Sequence, residues 1–211
     1  TFEADKPAYI IINSRNGSIH VGENFISGHQ QLSANTNVYV YIEPQEKPVS
    51  TGILKDGVIE ASKDNAEGIN ACAAWRFADG TTTVSLRYGI SFISEEQAEK
   101  NMRNELKDYN IKNLAKAGRQ IWNETLGRIK VEGGTEEQKI VFYTALYHTL
   151  IHPNILQDVN GEYPAMESDK ILTTQGDRYT VFSLWDTYRN VHQLLTLVYP
   201  ERQSQMVRSI S

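Results

Sequence analysis

The stretch Gly89-Ile-Ser-Phe-Ile-Ser-Glu-Glu-Gln-Ala98 decides the fold class, because the periodicity of the chain changes inside it. Before it, apolar residues run in short blocks or alternate. After it, they recur at helical spacing. Ser94-Glu-Glu-Gln97 has the form of a capping box, in which Ser94 and Gln97 are expected to satisfy each other's helix-terminal N–H groups. The expectation is an α+β protein, with β-structure before residue 94 and mostly helix after it.

Upstream, Ala8-Tyr-Ile-Ile-Ile12 reads as a short buried strand, and Asn37-Val-Tyr-Val-Tyr-Ile-Glu43 is rich in β-branched and aromatic residues. Lys55-Asp-Gly57 and Asp79-Gly80 are hairpin signals, since glycine tolerates the positive φ of a tight turn. The second predicts a hairpin joining residues 71–78 to 81–88, with Thr82, Val84, Leu86 and Tyr88 on one face. Trp75 and Phe77 would share a face, as core rather than as a binding platform. This spacing fits antiparallel strands of a β-sandwich.

Downstream, helices are expected from residue 94 to 107 and from 110 to 126, the second with Ile111, Leu114, Ile121 and Trp122 toward a core and Gly127 as its stop. Arg128-Ile-Lys-Val-Glu132 reads as a short strand. Thr135-Glu-Glu-Gln138 is a second capping box. It opens a helix with Tyr143, Leu146, Tyr147 and Leu150 at helical spacing, ended by His152-Pro153. Residues 154–179 show no sustained period, and a loop of that length is uncommon unless it is functional. Ser183 then begins a long helix over 184–199, and Pro200 opens a last one.

Composition excludes several classes. The formal net charge is −5, so the chain lacks the surplus cations that replace phosphate counterions on nucleic acid. Hydrophobic residues make up 40% and charged ones 22%, ordinary for a globular protein rather than a disordered one. No apolar run approaches the ~20 residues of a membrane-spanning helix. The lone Cys72 excludes an internal disulfide and a cysteine-based zinc site. The chain opens on Thr1 and stops in mid-pattern after Pro200, so it is expected to be a piece of a larger protein.

Chemistry concentrates in Tyr179-Thr-Val-Phe-Ser-Leu-Trp-Asp-Thr-Tyr-Arg189. If Ser183 caps a helix, Trp185, Asp186 and Arg189 fall in its first two turns, and Asp186 and Arg189 share a face. One reading is a helix-end carboxylate held by the macrodipole and by Arg189, with Trp185 in the core. The other is a sugar site, with an aromatic face against C–H groups and charged groups chelating adjacent hydroxyls. His148-Thr-Leu-Ile-His152 has zinc spacing but lacks the glutamate of a zincin, so ordinary histidines are expected. Asp158, Asn160, Glu162, Glu167 and Asp169 form an oxygen-rich loop. Its spacing departs from an EF-hand, and a solvated turn is the expectation. Asn123-Glu-Thr125 is a glycosylation sequon inside a predicted helix.

The segments Gly89–Ala98, Phe142-Tyr-Thr-Ala-Leu-Tyr-His148, Asp158-Val-Asn-Gly-Glu-Tyr163 and Phe182-Ser-Leu-Trp-Asp-Thr-Tyr-Arg189 stand in the order and spacing of a known family. Together they make residues 70 to 211 resemble glycoside hydrolase family 92, the calcium-dependent exo-α-mannosidases. The first seventy residues resemble the family's sandwich only loosely. His192-Gln193 stands where the family often has His-Pro.

The resemblance implies part of a β-sandwich over residues 1–93, linker helices over 94–134, and the first helices of an (α/α)6 catalytic barrel over 135–211. It assigns Trp185 and Asp186 to the pocket for a terminal mannose, with Arg189 in support. It puts the general acid, the general base and most calcium ligands beyond Ser211. It implies inverting hydrolysis of terminal α-linked mannose on glycans, with α-1,2 the commonest linkage, and export from a bacterium. Two alternatives remain at this point: another (α/α)-barrel glycoside hydrolase, or a non-catalytic carbohydrate-binding relative.

Overall fold

The computed structural model describes every residue except Ala4, Ala34, Asn35, Glu167, Asp169 and Ser211. The chain divides into two compact units, one of residues 1–109 and 158–172, the other of residues 110–157 and 173–211.

The first unit is built on seven antiparallel strands: β1 Tyr9–Val21, β2 Ile26–Ser33, β3 Thr36–Pro44, β4 Ser50–Lys55, β5 Val58–Glu60, β6 Asn65–Arg76 and β7 Leu86–Ser91. They form one continuous hydrogen-bonded sheet in the order β5-β4-β6-β1-β2-β3-β7. A single apolar cluster runs from Ile53 on β4 through Trp75 on β6 to Ile42 on β3. Trp75 and Phe77 are fully buried in it, as the core reading expects. The Asp56-Gly57 turn is the anticipated two-residue hairpin: Lys55 pairs with Val58, and both turn residues have positive φ.

Two strand expectations are corrected. The first strand does not stop at Ile12 but continues to Val21, because β6 pairs along nearly all of it and β2 joins its far end. Asp79-Gly80 makes a turn but no hairpin. Thr81 N–H donates to Ala78 O at 3.1 Å, yet residues 81–85 are not a strand. Both edges of β6 are already taken, by β1 and β4, so no edge is left for a returning strand. β7 pairs instead with β3, and Leu86 and Tyr88 stay exposed.

Helix α1, Glu95–Glu105, lies on β3 and β7 through Ala98, Met102 and Tyr41. It approaches so closely that a Cβ on Gly89 would sit 2.2 Å from Ala98 O. Glu43, a buried carboxylate of β3, anchors this corner. It is paired with Arg87 and Arg103 and accepts the Tyr109 hydroxyl at 3.0 Å. The Ser94 capping box is only half formed. Ser94 Oγ accepts Gln97 N–H at 3.1 Å, but the Gln97 side chain does not return the bond. A short pair, β8 Glu162–Pro164 and β9 Ile171–Thr173, completes the β-structure.

The second unit carries α2 Ile111–Leu126, α3 Glu136–His148, α4 Leu184–Thr187, α5 Val191–Val198 and α6 Pro200–Ser209. Its core is Leu146, Leu150, Tyr179, Phe182, Leu195, Tyr199 and Met206, with Trp122 packed against it. The Thr135 capping box is complete: Gln138 N–H donates to Thr135 Oγ1 at 3.3 Å and Thr135 N–H to Gln138 Oε1 at 2.9 Å. Of the residues expected to line the α2 core, only Trp122 is packed. Ile111, Leu114 and Ile121 are exposed, since no described element covers that face. Residues 128–132 form no strand.

The long helix expected over 184–199 is broken into α4 and α5. Side chains capture carbonyls at the break: Thr187 Oγ1–H donates to Ser183 O at 2.9 Å and Gln193 Nε2 to Tyr188 O at 2.9 Å. Ser183 O keeps its backbone donor as well, Thr187 N–H at 3.2 Å, whereas the Gln193 bond competes with the helical ladder at Tyr188 O, and Asn190 leaves helical backbone angles altogether.

Candidate functional site

Two of the motif segments lie where side chains do something unusual, and they do opposite things. Segment 185–189 faces solvent. Trp185 is 80% exposed, and Tyr188, Asp186 and Arg189 are exposed as well. The Trp185 and Tyr188 rings are 6.3 Å apart at 46°. The Arg189 guanidinium lies 5.5 Å from the Tyr188 ring centre, and its Nε donates to the Tyr188 hydroxyl at 3.1 Å. Among the described residues Asp186 makes no ion pair, with Arg189 or with any other cation. Ser183 makes no side-chain cap, and a helix of four residues carries little macrodipole. The helix-end reading of Asp186 and the core reading of Trp185 therefore lose their basis. What stands there is two aromatic rings, a free carboxylate and a guanidinium on one short turn.

The turn at Asp158 faces inward. The expected solvated loop is corrected here, because the Asp158 carboxylate is buried. Ser91 Oγ–H donates to Oδ2 at 2.6 Å, and Asn101 Nδ2 donates to Oδ1 at 2.7 Å. The other hydrogen of Asn101 Nδ2 goes to Ile90 O at 2.8 Å, while Asn101 Oδ1 accepts Val159 N–H at 3.1 Å and Gln97 Nε2 at 3.3 Å. Gln97 Oε1 in turn accepts Asn160 Nδ2 at 3.3 Å. This is why Gln97 does not close its capping box. Gly161, at φ +84°, closes the turn by donating to Asp158 O at 2.8 Å. Burial raises the Asp158 carboxyl above the usual carboxylate range. The bonds from Ser91 and Asn101 oppose that rise, and the charge of Glu162 adds to it. The sequence signal was present in the Asp-x-Asn-Gly turn, but its buried partners are more than fifty residues away.

The described residues do not fit a calcium ion at this loop. Both Asp158 oxygens accept hydrogen bonds from inside the protein, and Asn160 Oδ1 accepts Glu162 N–H at 3.1 Å. Glu167 and Asp169 lie outside the described residues. No cluster of three acidic, histidine or cysteine side chains suited to a metal occurs among the described residues, and His148 and His152 are simply exposed.

The helical unit also holds an open cavity of about 510 Å3, lined by Trp122, Arg128, Asp177, Tyr179, Tyr199 and Arg202 among others. Arg202 lies over the Tyr179 ring at 4.9 Å and Arg128 over the Tyr199 ring at 5.2 Å, so the guanidinium groups already cover the aromatic faces. None of Trp185, Asp186 and Arg189 lines it. The exposed segment has the chemistry and the cavity has the volume, and the chemistry is the better guide to a site.

Residues 97–211 match the model of the glycosyl hydrolase family 92 catalytic domain. An uncharacterized secreted glycosidase of Arthroderma benhamiae is 31% identical over 117 residues, which is 54% of this chain and 14% of that protein. Over its whole length the chain superposes on a family GH92 inverting mannosidase from Bacteroides thetaiotaomicron, with a TM-score of 0.88 and 27% identity. A GH92 alpha-mannosidase from the same organism matches 96% of the chain, with a TM-score of 0.84 and 26% identity, and has also been solved in complex with mannoimidazole. The chain spans 30% of the length of each of these two enzymes. The likeness in fold thus includes the first seventy residues, where sequence resemblance is loose. The chain belongs to glycosyl hydrolase family 92.

Proposed function

We propose that this chain is the sandwich-to-barrel portion of an inverting, exo-acting α-mannosidase that removes terminal mannose from glycans, with α-1,2 linkages as its first substrate to try. The observation that carries this reading is the exposed Trp185-Asp186-Thr187-Tyr188-Arg189 segment within a family 92 chain. An exposed indole offers an apolar face to the C–H groups of a pyranose. An unpaired carboxylate accepts from two vicinal hydroxyls, and Arg189, steadied on Tyr188, donates to a third oxygen.

Inversion needs two more carboxyl groups, an acid to protonate the leaving oxygen and a base to activate water on the opposite face. In this proposal both belong to the remainder of a longer parent, together with the calcium ligands. Calcium would supply charge to orient sugar hydroxyls, and the described residues hold no fitting site for it. The 211-residue chain by itself is expected to be inactive. Export of the parent is part of the same proposal. No helix among the described residues is long and apolar enough to cross a membrane.

The test is hydrolysis of α-linked mannobioses by the parent, followed by proton NMR. Release of mannose whose first-formed anomer is β supports inverting mannosidase action. α-Mannose as first product sinks inversion. Absence of any mannose release favours a non-catalytic carbohydrate-binding relative, and mannose release by the 211-residue chain alone overturns the site assignment.

A further inference from the structure

The segment that carries Trp185 and Asp186 sits on four residues of helix, followed by a break. No backbone ladder joins it to α5, so something else must hold it. The polar group that spans the break is His192. Its Nε2 lies 2.8 Å from Thr187 Oγ1, at the end of α4, and its Nδ1 lies 3.2 Å from the side-chain Oε1 of Gln203 on α6. Its ring also stands 5.7 Å from that of Phe182, just before α4.

Counting protons fixes the direction of one of these bonds. Thr187 has one hydroxyl hydrogen, and it is donated to Ser183 O at 2.9 Å. Thr187 Oγ1 is therefore the acceptor toward His192, and Nε2 must carry a hydrogen. On the other side Gln203 offers Oε1 to a protonated Nδ1 or, with its amide turned over, an N–H to a neutral one. The Thr187 bond is the same in both charge states of the ring.

We propose that His192 is a positioning residue for the Trp185–Arg189 segment. Its Nε2–H ties the end of α4, and its Nδ1 side ties α6, across a break that the backbone does not bridge. Phe182 on one side and Gln193, bonded to Tyr188 O, on the other complete the splint. The consequence for sugar binding rests on the function proposed above, whereas the splint rests on the geometry alone.

Two measurements on the 211-residue chain test it. Nitrogen-15 NMR of the imidazole should show Nε2 protonated, and an unprotonated Nε2 would overturn the proposal. Amide hydrogen exchange over residues 183–190 should quicken about three- to tenfold in His192→Phe, the scale of one lost hydrogen bond, with α3 unchanged. His192→Gln, whose terminal amide can still reach Thr187, should restore slow exchange. His192→Asn, which reaches only Gln203, should not. Equal exchange in all four proteins, or failure of His192→Gln to rescue, would overturn the proposal. If His192→Phe does not fold, the pair Gln and Asn carries the comparison. Mannose titration then separates the two ideas. An intact splint with no mannose binding by the parent would refute the sugar reading alone. Mannose binding with uniform exchange would refute the splint alone.

Discussion

The turn at Asp158 and the segment at Trp185 both belong to stretches that mark the family, and they are built in opposite ways. Asp158 is buried, with both carboxylate oxygens satisfied by Ser91 and Asn101. Asp186 is exposed and unpaired among the described residues, beside an indole that is 80% exposed. Two aspartates in recognisable motifs therefore have different physical work. A carboxylate buried and bonded within its own protein is out of a ligand's reach. A carboxylate left open beside an aromatic ring contributes little to stability and is free to meet one.

The sharpest way to break this contrast is Asp158→Ala. It would strand two buried donors, Ser91 Oγ–H and one Asn101 N–H, at about 1–3 kcal/mol each. Urea unfolding should show a loss of roughly 2–4 kcal/mol, while a loss under about 0.5 kcal/mol would mean that water satisfies the donors and the latch is not structural. Next in size is Asp186→Ala in the parent enzyme. Loss of a charge-assisted hydrogen bond felt in the transition state, roughly 1.5–3 kcal/mol, should reduce kcat/KM by about tenfold to more than a hundredfold. Unchanged specific activity per folded molecule would remove Asp186 from the sugar site.

A smaller effect separates burial from hydrogen bonding at Asp158. The folded-state carboxyl is raised above its unfolded value, so the fold favours its protonated form. The stability it contributes is present at acid pH and is lost as pH rises through the raised value. Asp158→Asn does not titrate. The stability of the wild type relative to Asp158→Asn should therefore increase as pH falls from neutral toward acid. A difference that shrinks instead would mean that the hydrogen bonds outweigh burial. The smallest expected effect is on the exposed side: Trp185→Ala and Asp186→Ala should each change unfolding free energy by no more than about 0.5 kcal/mol. A larger loss would return Trp185 to a packing role.

Much of the fold was legible because it rests on local chemistry. The Thr135–Gln138 box, the Asp56-Gly57 turn and the Pro200 helix start all form as their residues prescribe. The errors came where a neighbour outside the local window decided. Residues 81–85 have strand composition, but both edges of β6 were occupied. Gln97 had the right spacing to close the box at Ser94, yet its amide reaches Asn101 and Asn160 instead. The run 184–199 has helical period throughout, yet Asn190 leaves helical backbone angles, and the Gln193 side chain takes the Tyr188 carbonyl that a continuous helix would have used.

The sequence alone determined the α+β class, the change of period near residue 94, the family and the short list Trp185, Asp186 and Arg189. These follow from spacing and residue type, which are one-dimensional properties. Only the tertiary structure decided which aspartate is buried and which is open. Burial depends on what packs from elsewhere in the chain: Ser91 and Asn101 close over Asp158 from more than fifty residues away, and no described element closes over Asp186. Desolvation is a property of the assembled neighbourhood, and no local pattern of residues encodes it.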